Sequence, residues 1–165
     1  SLPSGYALGQ KYVDGKTGYI YKFVQLDPTL INNALAAGEL LVFKASYVAT
    51  NDVSDGLDAT YPRPAGIATA AHVESTSGGA TTYCFVLVSG RYATVKTAGA
   101  SVTGGADSIA IGDPLIPSAT IDGGCDRVDK TATNSATGIL ATIFGWATAD
   151  DVDANDTVAA EIHLV

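Results

Sequence analysis

The residues that could do chemistry in this chain are few and far apart. Asp151, Asp153 and Asn155 follow the spacing that opens a calcium-binding loop. Such a loop also needs Gly at its sixth position and Glu at its twelfth, and this chain has Asp156 and Ile162 there. We therefore interpret the acidic segment as a solvated hairpin tip, and we predict no metal site.

The histidines and cysteines form no recognisable motif. His72 and His163 each lie in an alternating, strand-like stretch, whereas a zinc site needs three or four Cys or His ligands at close spacing. Cys84 lies in an apolar run typical of a buried small side chain, and Cys125 follows two glycines in a polar segment that we interpret as a loop. Two cysteines are too few for a disulfide framework, and a single Cys84–Cys125 bridge is the alternative.

Catalytic motifs are absent from the sequence. No serine lies in a Gly-x-Ser-x-Gly elbow, and no glycine-rich loop opens a helix as phosphate-binding loops do. With three glutamates in 165 residues, few acid–base candidates exist beyond loop aspartates. We predict a protein that is not an enzyme and that has no catalytic residues and no cofactor.

The net charge of −8 is unevenly distributed. Residues 1–106 carry seven acidic and seven basic side chains, whereas residues 107–165 carry ten acidic side chains against two basic ones. Nucleic-acid binding needs a clustered basic face, so we predict no nucleic-acid partner. No apolar run approaches the ~20 residues that cross a bilayer, and residues 1–5 do not resemble a signal peptide. We therefore expect no membrane association and synthesis in a cytoplasm.

Turn spacing and composition predict an all-β fold. Asp14 to Gly18 consists of residue types that favour a tight turn, which predicts a hairpin over residues 11–25. About ten short strands follow at similar spacing, which is typical of a single compact barrel or sandwich, β-tulip or jelly-roll-like. One short helix is predicted over 28–37, with Asp27 as its N-cap and Gly38 as its stop. Residues 40–48 and 66–74 are each predicted to be one strand, and residues 83–97 to be a tight hairpin or one bent strand.

A faint two-fold repeat accompanies this pattern. Four landmarks recur about 72–74 positions apart, which predicts two halves with the same strand sequence that close one barrel or sandwich. The pairs are 18–24 with 90–95, 37–42 with 111–116, 66–70 with 138–142, and 83–88 with 157–164.

Residues 1–10 are predicted to be an extended N-terminal arm, and residues 11–165 a single β domain. The arm is interpreted either as a flexible tail or as an anchor that orders against a partner. The single tryptophan is either a core or barrel-rim anchor or an exposed contact for a protein partner. The candidate capsid or subunit interface residues are Leu2, Pro3, Tyr6, Leu8, Tyr61, Arg63 and Trp146.

After residue 10, the order of these features resembles the head-decoration, or capsid cement, proteins of tailed phages. The hairpin with Asp-Gly-Lys-Thr-Gly-Tyr comes first, and the Gly-acid turns at 38–39 and 112–113 each precede an apolar strand. Tyr83 to Val95 reads Tyr-x-Phe-Val-Leu-Val-Ser-Gly-Arg-Tyr-Ala-Thr-Val, and the chain ends in Val-Ala-Ala-Glu-Ile-His-Leu-Val.

The resemblance implies a virion protein made in the host cytoplasm. Such proteins bind the major capsid protein on the outside of an expanded capsid, commonly as homotrimers, and stabilise the shell against internal DNA pressure. The arm would contact the shell, and the acidic last third would face solvent. Two alternatives stay open: another virion structural subunit, associated with a tail or fibre, and a carbohydrate-binding β-sandwich module that uses Trp146 and tyrosines as stacking platforms.

Overall fold

Strands dominate the part of the chain that the computed structural model describes, which is residues 5–28, 34–56, 62–73, 82–98, 109–118, 121–128, 142–151 and 157–164. The predicted all-β class is confirmed. The strands are β1 (Lys11–Val13), β2 (Ile20–Leu26), β3 (Ala34–Leu35), β4 (Leu40–Ala45), β5 (Val48–Thr50), β6 (Pro64–Ala68), β7 (His72–Val73), β8 (Thr82–Lys96), β9 (Pro114–Pro117), β10 (Cys125–Arg127), β11 (Gly145–Ala147) and β12 (Thr157–His163). Among these residues no helix is long and apolar enough to span a membrane.

Five strands of the first half close into a barrel. Neighbouring strands follow the order β2, β5, β4, β6 and β8, and β8 pairs with β2 to complete the ring. Only the β2–β5 contact in this ring is parallel. Alternate residues of each strand fill the inside, among them Val24, Leu26, Leu41 and Val86, which are fully buried.

The second half repeats this strand order on the other end of β8. Neighbouring strands run β8, β12, β11, β9 and β10, and a parallel bridge between Thr97 and Cys125 brings β10 back beside the end of β8. The Ala98 N–H donates to the Cys125 carbonyl at 2.9 Å, as the Asp27 N–H donates to the Ala49 carbonyl at 2.8 Å in the first barrel. The β8 strand therefore belongs to both units, which are two copies of one arrangement.

The Gly-acid turns are the clearest match between the halves. Gly38 and Gly112, 74 positions apart, both have left-handed backbones, with φ of +92° and +86°. The carboxylate after each glycine, Glu39 or Asp113, accepts a hydrogen bond from the backbone N–H three residues earlier, at 3.1 and 3.0 Å. Each turn then leads into the equivalent strand, β4 or β9.

Strand pairing gives one landmark of the repeat a different partner from the predicted one. Strand β6 pairs with β4 through Gly66↔Leu41, and its counterpart β11 pairs with β9 through Gly145↔Leu115. Gly66 therefore corresponds to Gly145, 79 positions on. Of the predicted counterpart 138–142, residues 138–141 lie outside the described residues. Strand pairing decides which residues of the two halves are equivalent, because a short Gly-Ile motif does not specify the strand in which it lies.

A partly buried polar network links the two barrels at the first Gly-acid turn. Glu39 Oε1 accepts from Lys96 Nζ at 2.9 Å, and Glu39 Oε2 accepts from Asn51 Nδ2 at 3.0 Å. Lys96 Nζ also donates to the Asp122 carbonyl at 2.9 Å, and the Leu40 N–H donates to the Gly123 carbonyl at 2.8 Å. The network thus joins β4 and β8 to the segment just before β10.

Three predicted elements differ from the structure. The predicted helix over 28–37 is wrong in its second half, where Ala34–Leu35 is a strand paired with β7. The strand forms because burying Leu35 outweighs the helix propensity of this segment. Residues 29–33 lie outside the described residues. The strand over 40–48 is broken by a turn at Tyr47, whose φ is +60°. The strand over 66–74 ends at Ala68, and β7 starts separately at His72.

Residues 83–97 form one bent strand rather than a hairpin. The bend lies at Gly90, where φ is +131° and where an added Cβ would lie 2.5 Å from the Tyr19 ring. Before this glycine β8 pairs with β2, and from Ser89 onward it pairs with β12. Gly90 therefore marks the boundary between the two barrels.

Candidate functional site

The residues considered for metal or catalytic chemistry are not brought together in the described part of the chain. No group of three or more His, Cys, Asp or Glu side chains in that part is placed to hold a metal ion. His72 is half-buried on β7, and His163 is exposed at the end of β12. Most of the acidic segment with the calcium-like spacing, residues 152–156, lies outside the described residues.

Both cysteines are free and buried. Cys84 lies on β8, as the apolar run indicated, whereas Cys125 lies on β10 and is fully buried rather than in a loop. Burial raises the pKa of the Cys84 thiol to about 12, and burial also raises the pKa of Cys125, with the nearby Asp126 and Asp151 adding to the effect.

These thiols are expected to be inert in the folded protein. Because the thiolate is the reactive species, an aromatic disulfide reagent at pH 8 should label them at least about a hundredfold more slowly in buffer than in denaturing urea. Absorbance of the released thiol measures both rates. Equal rates in the two solvents would contradict the burial of both cysteines.

An aromatic face covers the outside of the first barrel on β1, β2 and β8. Inward residues of β2 alternate with outward aromatic ones, and Phe23 lies directly opposite Phe85 of β8. Their ring centroids are 5.0 Å apart, and Tyr83 stacks on Phe23 at 5.7 Å. We call this set the aromatic face: Tyr6, Tyr12, Tyr21, Phe23, Tyr83 and Phe85.

Residues from the predicted arm complete the aromatic face. The Tyr6 ring packs on Phe23 at 5.2 Å and edge-on against Phe85 at 5.4 Å. The Gly9 N–H donates to the Phe23 carbonyl, and the Phe23 N–H donates to the Gln10 carbonyl. Tyr6 is nevertheless 47% exposed and Tyr12 54% exposed. A cluster of large, partly exposed rings on a rigid sheet is the usual composition of a protein-binding hot spot.

A second feature, the cationic groove, has a volume of about 500 Å³. Three of its side chains carry or can carry positive charge: Lys22, Arg63 and His163. The other four are apolar: Phe43, Pro64, Ile143 and Leu164. Lys22 lies two residues before Val24 on the inward side of β2, and Phe43 lies two residues after Leu41 on β4, so the groove is the open end of the first barrel.

The structure describes four of the seven predicted interface residues, and two of these four belong to the aromatic face or the cationic groove. Tyr6 belongs to the aromatic face, with Leu8 half-buried on the same arm, and Arg63 lines the groove. Trp146 is 45% exposed on β11, and its ring meets the His163 ring edge-on at 5.7 Å, beside the groove. Leu2, Pro3 and Tyr61 lie outside the described residues.

The sequence-based prediction missed most of the aromatic face. Tyr12, Phe23 and Phe85 were not singled out, although aromatic residues alternate in 19–23 and again at 83 and 85. That alternation was the available signal, because alternate residues share one side of a strand. Lys22 was also missed, since nothing in the sequence places it in the same groove as Arg63.

Comparison with known proteins gives one structural likeness. No family model and no curated protein matches the chain. The chain is similar to the head fiber gp8.5 N base of bacteriophage phi29, with a TM-score of 0.49, 14% sequence identity, and coverage of 87% of this chain and 93% of that chain. A likeness at this level assigns neither a family nor a function to the chain.

Proposed function

We propose that this chain is a structural, non-enzymatic virion protein of a tailed phage. In this proposal it binds the outer surface of the expanded capsid and stabilises the shell against internal DNA pressure, with the major capsid protein as its partner. The observation that carries the proposal is the aromatic face, which presents partly exposed rings on a closed barrel. The order of sequence features shared with head-decoration proteins supports the same role.

The fold suits such a task for physical reasons. Rings that are already packed against each other lose little conformational entropy when a partner covers them, so the binding surface is preorganised. Aromatic residues are also enriched at the centres of protein interfaces. The aromatic face lies within residues 1–106, where the charges balance, so no net repulsion from this part of the chain opposes a protein partner.

The aromatic face is tested by removing its exposed rings. We expect the double variant Tyr6→Ala/Tyr12→Ala to bind expanded capsids of the encoding phage at least about tenfold more weakly than wild type. Co-sedimentation of the full chain with the capsids over a range of concentrations gives the affinity. The matched control is Ile111→Ala, which removes a side chain that is 67% exposed but lies in the second half.

Two results would overturn the proposal. The first is a wild-type chain that does not sediment with expanded capsids, and the second is a double variant that binds as well as wild type. Light scattering on the free chain, followed by imaging of decorated capsids, tests the proposed homotrimer. Binding to purified tails or fibres without binding to capsids would instead favour a tail- or fibre-associated subunit.

A carbohydrate-binding role is the second candidate, and the exposure of Trp146 favours it. Exposed tryptophan faces stack on sugar rings in many binding modules. Since Trp146 is the single tryptophan of the chain, its fluorescence reports directly on this site. Quenching by glycans would support the carbohydrate role, whereas insensitivity to glycans together with shielding on capsids would support the capsid role.

A further inference from the structure

We propose that the cationic groove at the open end of the first barrel binds an acidic, partly apolar peptide segment of a partner protein. A carboxylate of the segment would lie between Lys22 and Arg63, and a neighbouring apolar side chain would pack over Phe43 and Ile143. This inference does not depend on capsid binding, because the groove and the aromatic face are formed by different residues.

The positive charge of the groove is not neutralised within the described part of the chain. Neither Lys22 nor Arg63 forms an ion pair with any described residue. By contrast, Lys44 pairs with Asp27 and Asp55, and Lys96 pairs with Glu39. In a chain with a net charge of −8, two cations that share a groove and have no ion-pair partner among the described residues are an unusual placement.

Lys22 is also partly withdrawn from water. Its Nζ lies 5.7 Å from the centroid of the Phe43 ring, and burial together with the charge of Lys11 lowers the pKa of Lys22. A partly buried ammonium group is stabilised by an opposite charge nearby. A bound carboxylate would therefore supply the opposite charge that no described residue provides to Lys22 as an ion-pair partner.

The remaining walls of the groove select against other anions. Four of the seven lining side chains are apolar, so a ligand that is charged throughout would leave them uncovered. A nucleic acid needs a run of cations along its phosphates, whereas the groove has two lysine or arginine side chains and a histidine whose Nε2 lies 3.8 Å from Glu161 Oε1. A volume of about 500 Å³ exceeds that of a single small anion and suits a few side chains of a peptide.

Three synthetic probes and the full ¹⁵N-labelled chain test the inference by NMR titration. The first probe is a six-residue peptide that alternates aspartate and leucine, with both ends capped. The second replaces each aspartate by asparagine, and the third is a six-nucleotide thymidine strand. We expect the acidic peptide to bind with a Kd of roughly 100 µM and to shift the amides of Phe43, Arg63 and Leu164. The asparagine peptide and the nucleotide strand should bind at least about tenfold more weakly.

Substitutions then test whether Arg63 and Lys22 are the side chains that bind the carboxylates of the peptide. Arg63→Gln changes an exposed side chain and should weaken binding of the acidic peptide about tenfold, and Lys22→Gln should act in the same direction. The matched control is Lys16→Gln at the exposed hairpin turn, which should leave the Kd unchanged. Raising the salt concentration should weaken the acidic peptide more than the asparagine peptide.

Each opposite outcome overturns the inference in a different way. Equal binding of the acidic and asparagine peptides would mean that the groove recognises apolar side chains alone. Equal or tighter binding of the thymidine strand would mean a phosphate site. No saturable shift with the acidic peptide, or an Arg63→Gln variant with wild-type Kd, would remove the groove as a carboxylate-binding site.

Discussion

Replacing Gly38 by alanine is expected to lower the free energy of unfolding by at least about 3 kcal/mol. The residue has a φ of +92°, and an added Cβ would overlap the backbone carbonyl oxygen of Thr94. The chain cannot move away easily, because the Gly38 N–H donates to the Ala68 carbonyl and the Gly38 carbonyl accepts from the Lys96 N–H. Urea unfolding followed by circular dichroism measures the change.

The structural repeat supplies the control for this substitution. Gly112 occupies the same turn in the second half, with a φ of +86° and the same type of backbone hydrogen bond, to the Ala147 carbonyl. No atom lies within 4 Å of an added Cβ at this position. Gly112→Ala should therefore cost only the backbone strain, about 1–2 kcal/mol. Equal losses for the two variants would contradict the close approach of β8 to Gly38.

Glu39→Gln is expected to lower the free energy of unfolding by about 2–3 kcal/mol, although it keeps the shape of the side chain. Both carboxylate oxygens accept hydrogen bonds, Oε1 from Lys96 and Oε2 from Asn51 and the Ala36 N–H. A glutamine must place its NH₂ group against one of these sets of donors. With the NH₂ group toward Asn51 and the Ala36 N–H, two donors beside the 8% exposed Glu39 lose their acceptor. With the NH₂ group toward Lys96, the partly exposed ammonium loses its ion-pair partner and keeps only the Asp122 carbonyl.

An exposed ion pair gives the comparison for Glu39. Asp55 accepts from Lys44 at 2.8 Å, but the Asp55 side chain is 43% exposed and Lys44 keeps a second partner in Asp27. Asp55→Asn should stay within about 0.5 kcal/mol of wild type in the same urea experiment. If Glu39→Gln were equally mild, the network around Glu39 would not hold the two barrels together.

Local signals explain which parts of the fold could be predicted. The hairpin over 11–25 was predicted correctly because Asp14 makes the turn by itself, accepting from the Lys16 N–H at 3.0 Å and from the Thr17 hydroxyl at 2.6 Å. These contacts also lower the pKa of Asp14. The Gly-acid turns of the repeat were found for the same reason, since in each turn the carboxylate accepts a hydrogen bond from the backbone N–H three residues earlier.

Contacts between distant segments explain what the sequence did not reveal. Ala34–Leu35 is a strand because it pairs with residues almost 40 positions later, and nothing local competes with the helix propensity of its alanines. The closure of the first barrel likewise depends on a parallel pairing of β2 with β5, which no turn motif signals. The two candidate surfaces have the same origin, since Tyr6 packs against Phe85, and Lys22 and Arg63 come to line one groove, only after the barrel has closed.

The membership of β8 in both barrels has a consequence for the order in which the chain folds during synthesis. All five strands of the first barrel lie before Lys96, so this unit can close while the ribosome is still translating the rest. Until β12 arrives, more than 60 residues later, the stretch from Gly90 to Lys96 has no antiparallel strand partner. It is then both a template for the second barrel and an open edge that another nascent chain could pair with. The slow step of folding, and the moment of greatest aggregation risk, should therefore be the docking of β12 onto β8.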